Sequence, residues 1–297
     1  MKGASGRLRV LPCLDSAEMS ASRQQELDIP SSTAAVLGRT AVEVASVGYY
    51  FNRAGEKVDW SSEVQAACSS RRSIAPGAPL PTPKRTPRWE TKIQVANETT
   101  LQASLRLVEN GLRPLALNFA NGIYPGGGFL SGARAQEEVL CRSSALYGTL
   151  VDDPMYEHHW KRQRPDSTDW VIYSPDVPVF RKDDGTELDQ PWQLSFLTSA
   201  APYAPAIGQP EAGDLLQKRI LRVLAIASAY GYPAIVLGAW GCGAFANDPR
   251  RTASDFRQAL ENDFSGAFSD IVFAVTDWSP ERKFLGPFRD IFTPSNV

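Results

Sequence analysis

The chain has little from which to build a metal centre or a disulfide scaffold. Its four cysteines, Cys13, Cys68, Cys141 and Cys242, are scattered and form no CxxC pair. That argues against a structural zinc site or disulfide framework and for a reducing, cytoplasmic setting. Its two histidines, His158 and His159, are adjacent. Neighbours on a helix or strand do not face one site, so no His-based metal centre is expected, and no nucleophile motif accompanies them to make a triad. An excess of one charge is also missing. The 31 Lys and Arg against 33 Asp and Glu leave a net charge of −2, with no global attraction for nucleic acid or an anionic membrane. No apolar run reaches the roughly 18 residues that would suggest a bilayer span. The basic N-terminus is broken by Arg9, Pro12 and Asp15 and makes a poor signal peptide.

What is present suits a large soluble domain. The chain has 297 residues, 43% of them hydrophobic, ample for a buried core. Residues 1–20 read as a loose, disordered tail. Residues 21–90 read as a helical extension: a helix starting near Ser32, a hairpin around "YYFNRAGEKVDW", a short helix over 62–73 and a proline-dense connector over 74–88. From residue 91 strands alternate with helices. Strands are expected at 91–97, 114–121, 170–180, 192–202, 234–240 and 270–277, and helices at 99–111, 135–150, 214–231 and 251–264. This alternation predicts an α/β fold with a largely parallel or mixed sheet over 91–297.

Two glycine-rich loops each leave a short apolar strand: "NFANGIYPGGGFLSGARAQEE" and "LGAWGCGAFANDPRR". Ligands of open α/β sheets sit at the carboxyl ends of the strands, where glycines let backbone N–H groups approach closely. Two such loops facing each other would clamp a diphosphate, although either alone could be a tight turn. Neither carries a Gly-Lys-Ser/Thr phosphate motif or a GxGxxG dinucleotide fingerprint. Glu137 and Glu138 suit general acid–base work, since like charges make one of a close pair harder to ionise. Taken alone they read more readily as the solvated first turn of helix 135–150.

The glycine triplet, seven intervening residues and "QEE" resemble the signature of the poly(ADP-ribose) glycohydrolases, in their microbial-type branch. "NFAN", "WGCGAFAND", "IQVANETTLQAS" and "GYYFNRAGEKVDW" agree with it, and the resemblance covers residues 30–290. No counterpart of the tyrosine-bearing hairpin that covers the adenine in animal members is recognisable. The resemblance implies a macrodomain-like three-layer α/β/α fold with a mixed sheet and an N-terminal helical extension. It implies a glycosidase without metal or cofactor that hydrolyses the ribose–ribose O-glycosidic bonds of poly(ADP-ribose). Alternatives are a mono-ADP-ribosyl hydrolase and a non-catalytic ADP-ribose reader.

By the same resemblance, Glu138 is the general acid and then the base, and Glu137 holds a ribose hydroxyl. Gln136 positions the catalytic turn, and Asn121 meets the ribose beside the cleaved bond. Gly126, Gly127 and Gly128 give backbone contacts to the diphosphate. Gly241, Gly243, Ala244 and Phe245 form the opposite wall, with Phe245 against a ribose. Glu98 and Thr99, and Phe273 or Asp277, are candidates for the adenine end. Residue-level alternatives stay open: a turn residue for Asn121, a core aromatic for Phe245, and a small buried thiol rather than a nucleophile for Cys242. Expected partners are poly-ADP-ribosylated proteins, with no membrane and no sequence-specific nucleic acid. The expected state is a cytoplasmic monomer acting in the DNA damage response.

Overall fold

The computed structural model describes residues 8–82 and 89–293. The first seven residues of the expected tail and the end of the proline-dense connector lie outside them. The chain begins with β1 (Leu8–Val10), α1 (Ala17–Leu27), α2 (Ser31–Val47), β2 (Tyr49–Phe51), β3 (Lys57–Asp59), α3 (Ser61–Ser70) and β4 (Arg72–Ile74). Next come β5 (Thr91–Ala96), α4 (Thr100–Glu109), β6 (Pro114–Ala120), α5 (Gln136–Ser143), α6 (Leu146–Leu150) and α7 (Pro154–Arg162). The remainder is β7 (Val171–Arg181), β8 (Glu187–Ala200), α8 (Ala204–Ile207), α9 (Glu211–Ala229), β9 (Ala234–Leu237), α10 (Pro249–Glu261), β10 (Asp270–Ala274) and α11 (Leu285–Ile291).

Eight strands form one sheet in the order β1-β5-β10-β9-β6-β8-β7-β4. The neighbours from β1 to β8 are parallel, and β7 runs antiparallel to both β8 and β4. Residues alternate between two apolar layers, as a period of two requires. Ile235, Leu237, Ile271 and Phe273 face α9, α10 and α11. Ala234, Val236, Val272 and Ala274 face the layer that contains α3, α4, α5 and α6. The fold is therefore the expected macrodomain-like α/β/α arrangement with a mixed sheet.

Several expectations change. Residues 8–20 are not a loose tail. β1 pairs in parallel with β5, from Leu8 opposite Thr91 to Val10 opposite Ile93, and Ser16 caps α1 through the Met19 amide. Asp15 accepts from Asn97 and Arg282 at 2.9 and 2.8 Å. These partners lie some eighty residues or more away, and a three-residue strand is too short to display a period. The segment read as a tail supplies one edge strand, β1, and the extension supplies the other, β4. Helix 135–150 is broken at Ser144, whose extended backbone (φ −145°) bridges Val179 while the Ala145 amide donates to Pro178 O. Strand β8 begins at Glu187 and forms a long hairpin with β7. A bulge between Ser174 and Val177, with Asp176 at φ 48°, redirects the hairpin. Its tip carries Asp183 to within 2.8 Å of Thr99.

Candidate active site

The carboxyl ends of β5, β6, β8, β9 and β10 open on a cleft of about 490 Å³. The residues just past each strand line it: Glu98 and Thr99, Asn121, Ala201, Ala239 to Gly241 with Gly243 to Phe245, and Val275 with Thr276. Parallel strands put all these ends on one side, as ligand-binding open sheets do. Leu27, Trp278 and Phe284 add apolar walls.

Glu137 and Glu138 enter the cleft from the first turn of α5. They are only 3% and 8% exposed, which excludes a solvated helix turn. Gln136 fixes the helix start. Its Oε1 accepts from the Phe119 amide at 2.8 Å, and its Nε2 donates to Leu117 O at 2.7 Å and Thr100 Oγ1 at 3.0 Å. One amide thus ties α5 to β6 and α4 with all its main valences used. Glu137 is locked to the end of β6: Oε2 accepts from the Asn121 amide at 2.7 Å and Oε1 from Asn118 Nδ2 at 3.3 Å. Glu138 is held on one side alone. Its Oε1 accepts from the Gly128 amide at 3.0 Å, and its buried Oε2 has no partner among the described residues.

Burial pushes the Glu137 carboxyl up to about 8, and the nearby Glu138 charge pushes the same way. Hydrogen bonds from Asn121, Asn118 and Gly126 act against that rise. Glu137 therefore keeps its proton at neutral pH. Arg142, one turn along α5, is buried without a guanidinium hydrogen bond among the described residues. Burial lowers its pKa, while Asp183 and Glu138 favour its charge. Beneath the pair lies Cys141, whose thiol burial raises well above its usual value.

The glycine triplet does not line the cleft; it wraps the carboxylates. Gly126 and Gly127 have φ of 70° and 58°. A Cβ on Gly127 would collide with Glu138 Oε1 and lie 3.1 Å from Glu137 Oε2. Gly126 to Gly128, expected at the diphosphate, seat the acids in this structure. The opposite loop does face the cleft. Gly241, Gly243, Ala244 and Phe245 all line it, and a Cβ at Gly243 would meet nothing within 4 Å. Asn247 fastens this loop by donating to Pro202 O at 2.9 Å and Gly241 O at 3.1 Å. Cys242 is a buried thiol, its pKa pushed up by burial to about 12, and it is no nucleophile.

At the far end, Glu98 and Thr99 line the cleft, but each is engaged. Glu98 takes both of its oxygens to Arg106 at 3.0 and 2.8 Å. Thr99 caps α4 and donates to Asp183. Phe273 is fully buried among Phe256, Phe288 and Phe292 and does not reach the cleft. Asp277 spends its carboxylate on the Ser279, Phe284 and Leu285 amides, shaping the Trp278–Phe284 wall. Sequence reasoning missed Asp183. Burial raises its carboxyl to about 6, and its Oδ1 is buried without a partner among the described residues. Its "RKDDGT" context reads as an exposed hairpin turn, and only the bend of β7–β8 brings it to the cleft. Arg134 and Trp278 were likewise unmarked.

A family model for the catalytic domain of microbial-type poly(ADP-ribose) glycohydrolase matches residues 38–182. The crystal structure of poly(ADP-ribose) glycohydrolase from Thermomonospora curvata is 39% identical, with a TM-score of 0.83 over 88% of this chain and 99% of that one. The same enzyme bound to the inhibitor ADP-HPD matches at 39% identity and a TM-score of 0.80, over 87% of this chain and 99% of that one. The Deinococcus radiodurans enzyme in complex with ADP-ribose is 39% identical, with a TM-score of 0.70 over 77% of this chain and 96% of that one. No curated protein sequence matches.

Proposed function

The chain belongs to the microbial-type poly(ADP-ribose) glycohydrolases, and from that premise we propose how its own residues carry out the reaction. The protein is a glycosidase that hydrolyses the ribose–ribose bonds of poly(ADP-ribose) and releases ADP-ribose. ADP-ribose occupies the cleft at the strand ends, with its diphosphate along the exposed backbone of Gly241, Gly243 and Ala244 and a ribose against Phe245. Asn121 meets the ribose next to the scissile bond, and the Glu98–Thr99–Asp183 end receives the adenosine portion.

Glu138 gives its proton to the leaving oxygen as the C1″–O bond breaks and an oxocarbenium-like sugar develops. It then takes a proton from the water that adds to C1″, so the acid is restored. Glu137, whose two oxygens are already anchored, holds the ribose. The observation that carries this assignment is the contrast between the two carboxylates. Of the two, Glu138 keeps a buried oxygen with no partner among the described residues, and Glu137 does not.

Release of ADP-ribose from purified polymer tests the reading. Glu138→Gln is expected to lose about 10²- to 10⁴-fold in kcat while still binding ADP-ribose; a fully active Glu138→Gln protein would reject the assignment. The rate should also fall as pH rises through about 8, where Glu137 gives up its proton. A cytoplasmic, monomeric enzyme acting on poly-ADP-ribosylated proteins in the DNA damage response completes the proposal. The four free cysteines support its reducing setting. Sedimentation as a dimer, or fractionation outside the cytoplasm, would overturn the corresponding part.

A further inference from the structure

Two large, half-exposed aromatic side chains stand beside the catalytic loop. Tyr124 is 55% exposed and Trp160 is 53% exposed. Their ring centroids are 6.1 Å apart and their planes are inclined at 59°. They come from different elements, the Asn121–Gly128 turn and α7.

The turn binds Tyr124 closely to both catalytic acids. Its amide donates to Asn121 Oδ1 at 3.0 Å, and the Asn121 amide donates to Glu137 Oε2. Its carbonyl accepts from the Gly127 amide at 2.9 Å, and the next amide, Gly128, holds Glu138. Helix α7 is pinned to the same turn. His159, the neighbour of Trp160, lies 2.8 Å from Gly122 O through Nδ1 and 2.7 Å from Thr168 Oγ1 through Nε2. The aromatic pair therefore has a fixed place next to the acids, yet neither ring lines the cleft itself.

The chemistry of the polymer says what would be there. In poly(ADP-ribose) the oxygen that leaves C1″ is the 2′-oxygen of the next unit's adenosine ribose. The group that departs from Glu138 thus carries an adenine one sugar away from the broken bond. Bases stack on exposed aromatic rings, and such stacking is worth a measurable part of the binding energy. We propose that Tyr124 and Trp160 form a subsite for the adenine of the leaving ADP-ribose unit, so that the enzyme distinguishes a polymer from a simple ADP-ribosyl acetal. This rests on the glycohydrolase reading and extends it to the unit on the far side of the bond.

The test compares two substrates of the purified full-length protein: poly(ADP-ribose), and the 1″-O-methyl acetal of ADP-ribose with the polymer's anomeric configuration. The methyl acetal has the same bond to break and no leaving adenine. ADP-ribose release is followed by chromatography, and the readout is the ratio of the two kcat/KM values. In Trp160→Ala and in Tyr124→Ala this ratio should fall about tenfold, through a higher KM for polymer. Trp160→Phe and Tyr124→Phe, which keep a stacking surface, should retain most of it. A ratio that stays at the wild-type value in both alanine variants overturns the subsite, whether or not overall activity drops. A wild-type protein inert on polymer would instead defeat the glycohydrolase reading and the subsite with it.

Discussion

The two glycine loops look alike in sequence and work in opposite directions. Around Gly126 to Gly128 the backbone is turned inward. Gly126 is buried, and the missing Cβ of Gly127 leaves the space filled by the Glu138 carboxylate. Around Gly241 to Ala244 the backbone is turned outward. Gly243 and Ala244 are exposed, and nothing stands within 4 Å of where a Gly243 Cβ would be. Glycine in the first loop makes room for the protein's own acid. Glycine in the second leaves room for a ligand. Composition alone does not separate the two uses, because both require a bare backbone.

Substitutions can break this contrast. Gly127→Ala should have the largest effect. It combines a left-handed φ of 58° with a Cβ in the place of Glu138 Oε1, and displacing the acid should lower kcat on the order of 10²-fold. A near-wild-type rate would mean that the acid does not need this seat. Glu137→Gln comes next and acts on stability. The Glu137 carboxyl sits at about 8 in the folded protein, against about 4.3 in an unfolded chain. Between these values the unfolded state releases its proton while the folded state keeps it, so this group's contribution falls as pH rises. The neutral amide removes that loss. The variant should gain roughly 3 to 4 kcal/mol relative to wild type between pH 5 and pH 8, read from urea unfolding at the two pH values. A pH-independent difference would refute the buried proton.

Gly243→Ala should leave the thermal midpoint near its wild-type value, since the methyl group enters open space. Calorimetry should find ADP-ribose binding weakened about tenfold because the ligand's diphosphate needs that space. Unchanged affinity would place the diphosphate elsewhere. The smallest effect belongs to Asp28→Asn. The Arg134–Asp28 pair is 2.7 Å long but is 40% and 50% exposed, and Arg134 also donates to Ile29 O. Its loss should cost less than about 1 kcal/mol, measured by thermal unfolding. A larger cost would show that the entry to α5 is held from the surface as well as by Gln136.

Legibility in the sequence followed the range of the interactions involved. The strands β5, β6, β9 and β10 and the helices α4, α9 and α10 were readable because each carries its own apolar period and its own stop. α1 was not, because its sequence AEMSASRQQEL has few apolar residues to mark a face, and β1 and β4 were not, because each has three residues and a distant partner. The break at Ser144 was invisible for the same reason: it is set by pairing with Val179. At the site, Gln136, Glu137, Glu138 and the second loop announced themselves through spacing. Asp183 and Arg142 gave no local signal, and Glu98 and Thr99 could not reveal that Arg106 and Asp183 already engage them.

By itself the sequence determined the order of the elements, their two-sided burial and the adjacency of two glutamates at a helix start, since all three follow from periodicity and covalent neighbourhood. Only the tertiary structure decided which glutamate keeps an oxygen without a partner among the described residues, which glycine loop lines the cleft and which distant carboxylate joins it. Those outcomes depend on how Asn118, Asn121, Gly128 and Asp183 converge in space. Hydrogen bonds and desolvation act over a few ångströms, and the chain separates these groups by up to sixty-five positions.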